Sequence, residues 1–118
     1  MPTHNQIDLV EFSVHSAGEL SATTTFLSAV FGWSYRSYGD DYSDSVDSGV
    51  TNGVNASEPG ERARMPLAVV YVDDLAAART AVVAAGGSIV QEIFAFPGGR
   101  RFHFTEPSGN ELAIWSDK

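Results

Sequence analysis

Three side chains that could move a proton or bind a metal lie on predicted strands. Glu11 and His15 share one face of the strand predicted over Ile7–Val14, because alternate residues of a strand point to the same side. His103 lies in a second predicted strand, Arg101–Thr105. A carboxylate with two imidazoles could form an acid–base site or hold a metal ion. The alternative is a solvated strand carboxylate and histidines exposed at strand ends.

Aromatic residues form a second group with functional potential. Tyr71 and Trp115, with Trp33 or Tyr35 as neighbours, offer flat apolar surfaces to a planar ligand. The same side chains could pack in the core or in a dimer interface instead.

Arg100 and Arg101 follow a glycine pair, so their guanidinium groups could hold a carboxylate or a phosphate. A solvated surface is the alternative. The turn at Pro97-Gly98-Gly99 is not a phosphate-binding loop, because no helix is predicted after it. The absence of cysteine excludes disulfides, thiolate metal sites and thiol nucleophiles.

Two similar sets of elements must position these residues. In the first half the patterns predict strands at Ile7–Val14, Trp33–Tyr38, Tyr42–Asp47 and Val50–Asn55, and a helix from Ser16 or Gly18 to a left-handed cap at Gly32. Along that helix Leu20, Thr24, Leu27, Val30 and Phe31 fall near helical spacing. The threonine run favours helix weakly, so the helix is expected to depend on packing.

The second half repeats this plan. It predicts a strand at Pro66–Val72, a helix capped by Asp73 or Asp74 and ended by Gly86-Gly87, a strand at Ser88–Phe96, and the hairpin Arg101–Trp115 turned by Glu-Pro-Ser-Gly-Asn. The chain is therefore predicted to be one domain, 1–118, of two modules. The modules cover about residues 5–56 and 65–118, and a polar linker, 57–64, joins them.

The composition limits the kinds of molecule that the chain is expected to bind. The net charge is −8, and residues 1–60 contain eight acidic residues but Arg36 as the one basic residue. Such a chain repels a phosphate backbone, so nucleic acid is not expected as a partner. No apolar run is long enough to span a bilayer and Met1–Asp8 has no leader pattern, so we expect no membrane association and a cytoplasmic location.

Four stretches resemble, in this order along the chain, the vicinal oxygen chelate superfamily. They are LSATTTFLSAVFGW, VYVDDLAAARTAVVAAGG, FPGGRRFHF and TEPSGNELAIW. That superfamily includes glyoxalase I, bleomycin-resistance proteins and extradiol dioxygenases. The resemblance implies an α+β fold, in which two βαβββ modules form a curved eight-stranded mixed sheet with two helices. It also implies a concave ligand cavity between paired modules, commonly in a homodimer.

Strand alternation then predicts which residues face that cavity. If Phe12 and Val14 pack under the helix, the inward residues of the first strand are Glu11, Ser13 and His15. In the second module Ala68, Val70 and Val72 are expected in the core, with Leu67, Val69 and Tyr71 facing the cavity. In the hairpin the inward residues are His103, Ala113 and Trp115.

The family's enzymes bind a divalent metal through inward His, Glu or Gln residues. The resemblance places these positions on Glu11, on Leu67, on Ala113 and near Asn52–Asn55. Leu67 and Ala113 cannot bind a metal, and an asparagine amide is a weak ligand. Because a zinc or iron site needs about three protein ligands, no metal or other cofactor is expected.

The leading hypothesis is a metal-independent protein that binds a small organic molecule, in the manner of the bleomycin-resistance branch, and forms a homodimer. Its predicted ligand-binding residues are Glu11, Ser13, His15, Tyr71, His103 and Trp115. The alternative is a glyoxalase-like lyase, isomerase or dioxygenase with a divalent metal, using Glu11 with His15 or His103 as catalytic residues. A third hypothesis is an interaction module that has lost its pocket.

Overall fold

The computed structural model describes residues 2–57 and 65–118. Within these ranges the chain has eight strands in mixed pairing and two helices, so the predicted α+β class is confirmed. Each half has the predicted order strand–helix–strand–strand–strand. The elements are β1 (Gln6–Ser13), α1 (Ala17–Phe31), β2 (Tyr35–Ser37), β3 (Tyr42–Ser45), β4 (Thr51–Asn55), β5 (Leu67–Tyr71), α2 (Leu75–Ala84), β6 (Ser88–Phe96), β7 (Gly99–Thr105) and β8 (Glu111–Ser116).

The chain divides into two compact units. The N-terminal unit is Leu9–Pro66, and the C-terminal unit is Leu67–Lys118 together with Met1–Asp8. Of the predicted linker 57–64, only Ser57 lies within the described residues. The module boundaries at 56 and 65 therefore stay a prediction. Neither helix in the described ranges is long and apolar enough to cross a membrane.

In the N-terminal unit the strand order is β2-β3-β4-β1. β1 pairs with β4 in parallel, whereas β3 is antiparallel to both β2 and β4. Val14, Leu20 and Val54 form a small buried core between α1 and this sheet. Phe12 lies opposite Val54 and shares its face, as the alternation of β1 predicted.

Of the two predicted starts of α1 the structure has Ser16 as the N-cap, and the predicted end at Gly32 is confirmed. The Ser16 Oγ accepts a hydrogen bond from the Glu19 backbone N–H at 3.1 Å, which satisfies a donor that the helix start leaves unpaired. Gly32 adopts the left-handed conformation, with φ of 75°, and donates its backbone N–H to the Ser28 carbonyl. These caps fix where the helix begins and ends.

The apolar stripe of α1 is only partly buried. Leu20 is in the core, but Val30 and Phe31 are 54% and 57% exposed, and Phe26 is 63% exposed. A helix of 15 residues is about 22 Å long, whereas the five residues of β4 span about 17 Å. The last turn of α1 therefore extends beyond the small core, and Val30 and Phe31 lie outside it.

The C-terminal unit has the strand order β5-β8-β7-β6. β5 pairs with β8 in parallel, and β7 is antiparallel to β8 and β6. Val72, Leu75, Phe102 and Ile114 form its buried core. Asp74 caps α2, since its Oδ1 accepts from the Ala77 backbone N–H at 3.0 Å. This unit contains the predicted hairpin, whose strands carry His103 and Trp115.

Candidate functional site

One face of the sheet in the C-terminal unit collects residues predicted for the site. The register joins alternate residues of three strands in two rows, Val69–Ala113–His103 and Tyr71–Trp115–Arg101. On β6, Phe94 pairs with Arg101. We call these seven residues the His103 face. It brings together three predicted ligand-binding residues, Tyr71, His103 and Trp115, on the side of the sheet opposite the core residues Phe102 and Ile114.

The His103 face is deeply buried along β5. Leu67, Val69 and Tyr71, which the alternation placed toward a cavity, are 1%, 1% and 3% exposed. Their neighbours Ala68 and Val70 are only partly buried. β5 thus has no solvated face, although its sequence allows a strand with one core side and one cavity side.

His103 is the centre of a short polar chain. Its Nδ1 lies 2.9 Å from the Glu111 Oε2, and its Nε2 lies 3.2 Å from the Arg101 Nε. An arginine Nε–H can only donate, so Nε2 accepts and the ring proton sits on Nδ1, where it is donated to the carboxylate. The imidazole is 2% exposed. The geometry therefore favours a neutral His103 in one fixed tautomer.

Arg101 is part of this site and not a solvated surface residue. It is 8% exposed, and its guanidinium carbon lies 5.7 Å from the centroid of the Phe94 ring. The same ring stacks on His103 with centroids 6.0 Å apart. Arg100, its sequence neighbour, is exposed and donates to the Lys118 carbonyl at 3.2 Å. Strand alternation gives the two arginines opposite faces, so they cannot clamp one anion together.

An aromatic cluster surrounds Trp115. The rings of Tyr71 and Trp115 meet edge to face with centroids 5.1 Å apart, and Phe96 lies 6.2 Å from the same indole. The indole Nε1–H donates to the Asp8 carboxylate at 3.1 Å, and the Tyr71 hydroxyl donates to the Asp117 Oδ1 at 2.6 Å. Each polar tip thus has a partner while the ring bodies form an apolar surface.

Two ionisable groups of this cluster have shifted pKa values. The hydrogen bond to Asp117 is the main cause that raises the pKa of Tyr71 to about 12, with burial adding to it. Burial raises the pKa of Asp8 above its usual 3.8, although the hydrogen bond from Trp115 works in the opposite direction. Tyr71 is therefore a neutral donor at neutral pH.

Glu11 lies in the N-terminal unit and is 1% exposed. It pairs in register with Gly53 on β4. A Cβ added to Gly53 would lie 2.2 Å from the Tyr42 hydroxyl and 2.9 Å from the ring carbon that carries it. Gly53, the register partner of Glu11, therefore leaves room for the Tyr42 phenol. Tyr42 was not predicted as a site residue; the signal for it was a glycine inside a strand.

The remaining predicted residues of β1 lie in different surroundings. Ser13 is half-buried and pairs with Asn55. His15 is exposed and lies after the last residue of β1, where its backbone N–H donates to the Glu19 Oε1 at 2.8 Å. Strand alternation no longer applies there, so the structure gives His15 no common face with Glu11.

Apart from Glu11, the positions that the resemblance assigns to metal ligands do not fit a metal. Leu67 and Ala113 are apolar and at most 1% exposed. The Asn52 Oδ1 accepts from the Tyr35 hydroxyl, and the Asn55 Oδ1 accepts from the Ser57 backbone N–H. Within residues 2–57 and 65–118, no cluster of three or more His, Cys, Asp or Glu side chains could hold a metal ion. No chemical step is therefore assigned to a metal here.

A family model described as the glyoxalase/bleomycin resistance protein/dioxygenase superfamily matches residues 14–114. The chain belongs to this superfamily. The match spans both units and includes β2–β7 and both helices completely, and β8 as far as Ile114. No curated protein matches the sequence significantly.

Several solved structures share the fold. The chain is 22% identical to the Mn(II)-bound glyoxalase from Novosphingobium aromaticivorans, with a TM-score of 0.66, covering 99% of this chain but 40% of that one. It is 12% identical to a superfamily member from Vibrio splendidus 12B01, with a TM-score of 0.67, covering 92% and 96%. A Legionella pneumophila structure titled NAD-dependent benzaldehyde dehydrogenase is 18% identical, with a TM-score of 0.73, covering 93% and 98%. At these identities the likeness shows the fold alone.

The sequence did not point to Glu111 as a partner of His103, and it suggested Arg101 only as an anion ligand together with Arg100. Both side chains point to the same face of the sheet as His103. Glu111 is two residues from Ala113, and Arg101 is two residues from His103, so each pair shares that face. The strand pairing also places Glu111 diagonally across from His103. Applying the alternation to every residue of the hairpin would have found them.

Proposed function

We propose that this superfamily member binds a small organic molecule without a metal ion, in the manner of the bleomycin-resistance branch. The observation that carries the proposal is the engagement of both ring nitrogens of His103 by Glu111 and Arg101. A histidine ligates a metal through an unprotonated nitrogen, and here that nitrogen already accepts from arginine. With Leu67 and Ala113 at two expected ligand positions, the chain is suited to binding and not to Lewis-acid chemistry.

The proposed ligand-binding residues are those predicted from the sequence. Tyr71 and Trp115 supply aromatic area, and His103 is a rigid polar group held by its neighbours. Glu11, Ser13 and His15 belong to the N-terminal unit, where they stay predicted ligand-binding residues. The net charge of −8 favours a ligand that carries positive charge.

Tryptophan fluorescence tests the binding proposal, because the chain has two tryptophans and each can be removed. We expect planar aromatic cations to quench Trp115 in a Trp33→Phe variant. The same compounds should give no saturable quenching in a Trp115→Phe variant, whose remaining Trp33 stacks on Phe31. A panel of aromatic cations and neutral aromatics that leaves Trp115 unquenched at millimolar concentration would reject the proposal and favour the interaction-module hypothesis.

We further propose that the protein forms a homodimer, as pairing of modules in the superfamily suggests. Sedimentation velocity should give a species of twice the 12.6 kDa chain mass. A single species of the chain mass at micromolar concentration would contradict this. The cytoplasmic location likewise stays a prediction.

A metal-dependent lyase, isomerase or dioxygenase is the second candidate, and one observation favours it. Glu11 is a buried carboxylate paired in register with Gly53, over which the Tyr42 phenol lies, and a buried carboxylate can act as a general base. Metal analysis of the purified protein and the variants Glu11→Gln and Glu11→Ala distinguish the candidates. No bound metal and unchanged ligand affinity in both variants would reject the enzyme; stoichiometric metal that is lost in the variants would support it.

A further inference from the structure

A cleft in the N-terminal unit lies between α1 and the β2–β3 hairpin, apart from the proposed ligand-binding residues. Its volume is about 330 Å³, at the lower end of the range of small-molecule sites. Ala17 and Leu20 provide its apolar surface. The polar residues that line it are Ser21, Thr24, Tyr35, Ser37, Asp40 and Ser43.

This lining is unusual for a helix packed on a sheet. Such a space normally holds the apolar stripe of the helix. Here α1 presents Ser21 and Thr24 to the cleft, while its large residues Phe26 and Phe31 are more than half exposed. The polar lining of the cleft therefore contributes little hydrophobic stabilisation to the packing of α1. A role of the hydroxyl groups in binding a ligand would explain why polar residues line this space.

The Ser43 hydroxyl has capacity to bind a ligand. Ser43 is 4% exposed, and its side chain makes no hydrogen bond to another residue within the described ranges. By contrast, the Thr24 hydroxyl donates to the Leu20 carbonyl at 3.1 Å, and the Ser37 hydroxyl donates to the Gly39 carbonyl at 3.2 Å. A buried hydroxyl without a partner is costly, so a ligand that supplies one would be favoured.

The negative charge around the cleft favours the binding of a cation. Asp40 is the charged residue among those that line it. Arg36, the basic residue in the described part of the N-terminal unit, has its guanidinium hydrogen-bonded to the Tyr38 hydroxyl at 3.1 Å. The same part of the unit carries six acidic side chains, Glu11, Glu19, Asp40, Asp41, Asp44 and Asp47. Their combined field attracts positive ligands.

We propose that this cleft binds a small alkylammonium ion that carries a hydroxyl group. The ammonium group is placed near the Asp40 carboxylate and the Tyr35 ring, which together favour a cation. The ligand hydroxyl bonds to the Ser43 hydroxyl, and its alkyl groups contact Ala17 and Leu20. This site does not depend on the function proposed for the His103 face.

Choline and its neutral isostere 3,3-dimethylbutan-1-ol test the proposal, because they share a shape and a hydroxyl and differ in charge. In ¹H–¹⁵N NMR titrations choline should cause saturable shifts at the amides of Ser21, Thr24, Ser37 and Gly39. The isostere should bind at least about fivefold more weakly, the ratio expected for one partly exposed charge interaction. Absence of saturable shifts, shifts centred elsewhere, or equal binding of the two compounds would overturn the proposal.

Variants locate the site. Asp40→Asn should weaken choline binding by roughly three- to tenfold, whereas Asp41→Asn removes the same charge from a residue that does not line the cleft and should have a smaller effect. Thr24→Leu should fill the cleft and abolish the shifts while the rest of the spectrum stays folded. Equal effects of the two aspartate variants, or choline binding retained by Thr24→Leu, would contradict the site. Quenching of Trp115 in Thr24→Leu should be unchanged, so this test and that of the proposed function can fail separately.

Discussion

His103 gains its orientation from two neighbours that lie within eight residues of it along the hairpin. Glu111 accepts from Nδ1 and Arg101 donates to Nε2, while Phe94 covers the ring. Such a buried polar chain is stabilising when every member is bonded and costly when one partner is lost. The site therefore depends on Glu111 although part of that side chain is exposed.

Removal of the Glu111 carboxylate should reveal this dependence. Glu111→Ala leaves the buried Nδ1–H without its acceptor, and we expect a loss of about 1–3 kcal/mol in the free energy of unfolding. Glu111→Gln keeps an acceptor oxygen and should lose less. Urea denaturation measures the stability, and ¹⁵N NMR of the imidazole should show the Nδ1–H tautomer in the wild type. An Nε2–H tautomer in the wild type, or equal losses in both variants, would contradict the arrangement.

Gly53 offers a second test at the scale of single residues. A methyl group there would collide with the Tyr42 ring, so Gly53→Ala should cost about 1–3 kcal/mol of stability. In a Tyr42→Ala background the same substitution should cost much less, because the space is then free. Gly18→Ala is the matched control, since the nearest atom to its added Cβ is 3.8 Å away. Additive effects of Gly53→Ala and Tyr42→Ala would show that the two residues are not in contact.

The alternation of side chains along the strands predicted which residues share a face of the sheet, but not which hydrogen bonds they make. It placed Tyr71, His103 and Trp115 on one face, because alternation depends only on the strand being continuous. It did not predict Tyr42 over Gly53, since that contact depends on the register between β3 and β4. His15 was included because the alternation was extended one residue past the predicted strand end at Val14, whereas the observed strand already ends at Ser13.

At the scale of elements, helix ends were easier to predict than strand ends. A helix cap depends on the type of one or two residues, so it can be predicted locally. Ser16 and Gly32 are such residues, and both cap α1 in the structure. A strand ends where its partner ends, which is not a local property. β2 accordingly covers Tyr35–Ser37 where the pattern predicted Trp33–Tyr38.

The cap of α1 should contribute measurably to stability, because few of the helix's apolar residues are buried. Ser16→Ala removes the acceptor of the Glu19 N–H and should lower the free energy of unfolding by about 1 kcal/mol. Ser16→Asp keeps an acceptor and should restore most of it. Asp74→Ala, which removes the corresponding cap of α2, provides a comparison within the same chain. No loss in Ser16→Ala, or no rescue by aspartate, would show that packing alone positions α1.

The repeated order of helices and strands could be predicted from the sequence, because turns and caps recur in the same order in both halves. The extent to which each side chain is buried could not be predicted. β5 is covered on both faces, and α1 leaves Phe26 and Phe31 exposed. Both depend on what packs on each element, which the pattern of a single element does not encode.

The acidic composition makes the pH response of the whole molecule depend on carboxyl groups with opposite shifts. Burial raises the pKa of Asp8 above 3.8, so its ionisation destabilises the fold; this cost appears as pH rises from about 3.8 through the folded pKa. The hydrogen bond from Arg79 lowers the pKa of Glu92 below 4.5, so its ionisation stabilises the fold, and this contribution is lost as pH falls through that lowered pKa.

Asp8→Asn should therefore be more stable than the wild type at pH 7, and Glu92→Gln less stable. Both differences should diminish toward pH 3 in urea denaturation series. A difference for Asp8→Asn that is unchanged between pH 7 and pH 3 would mean that lost contacts, and not the ionisation of Asp8, cause it.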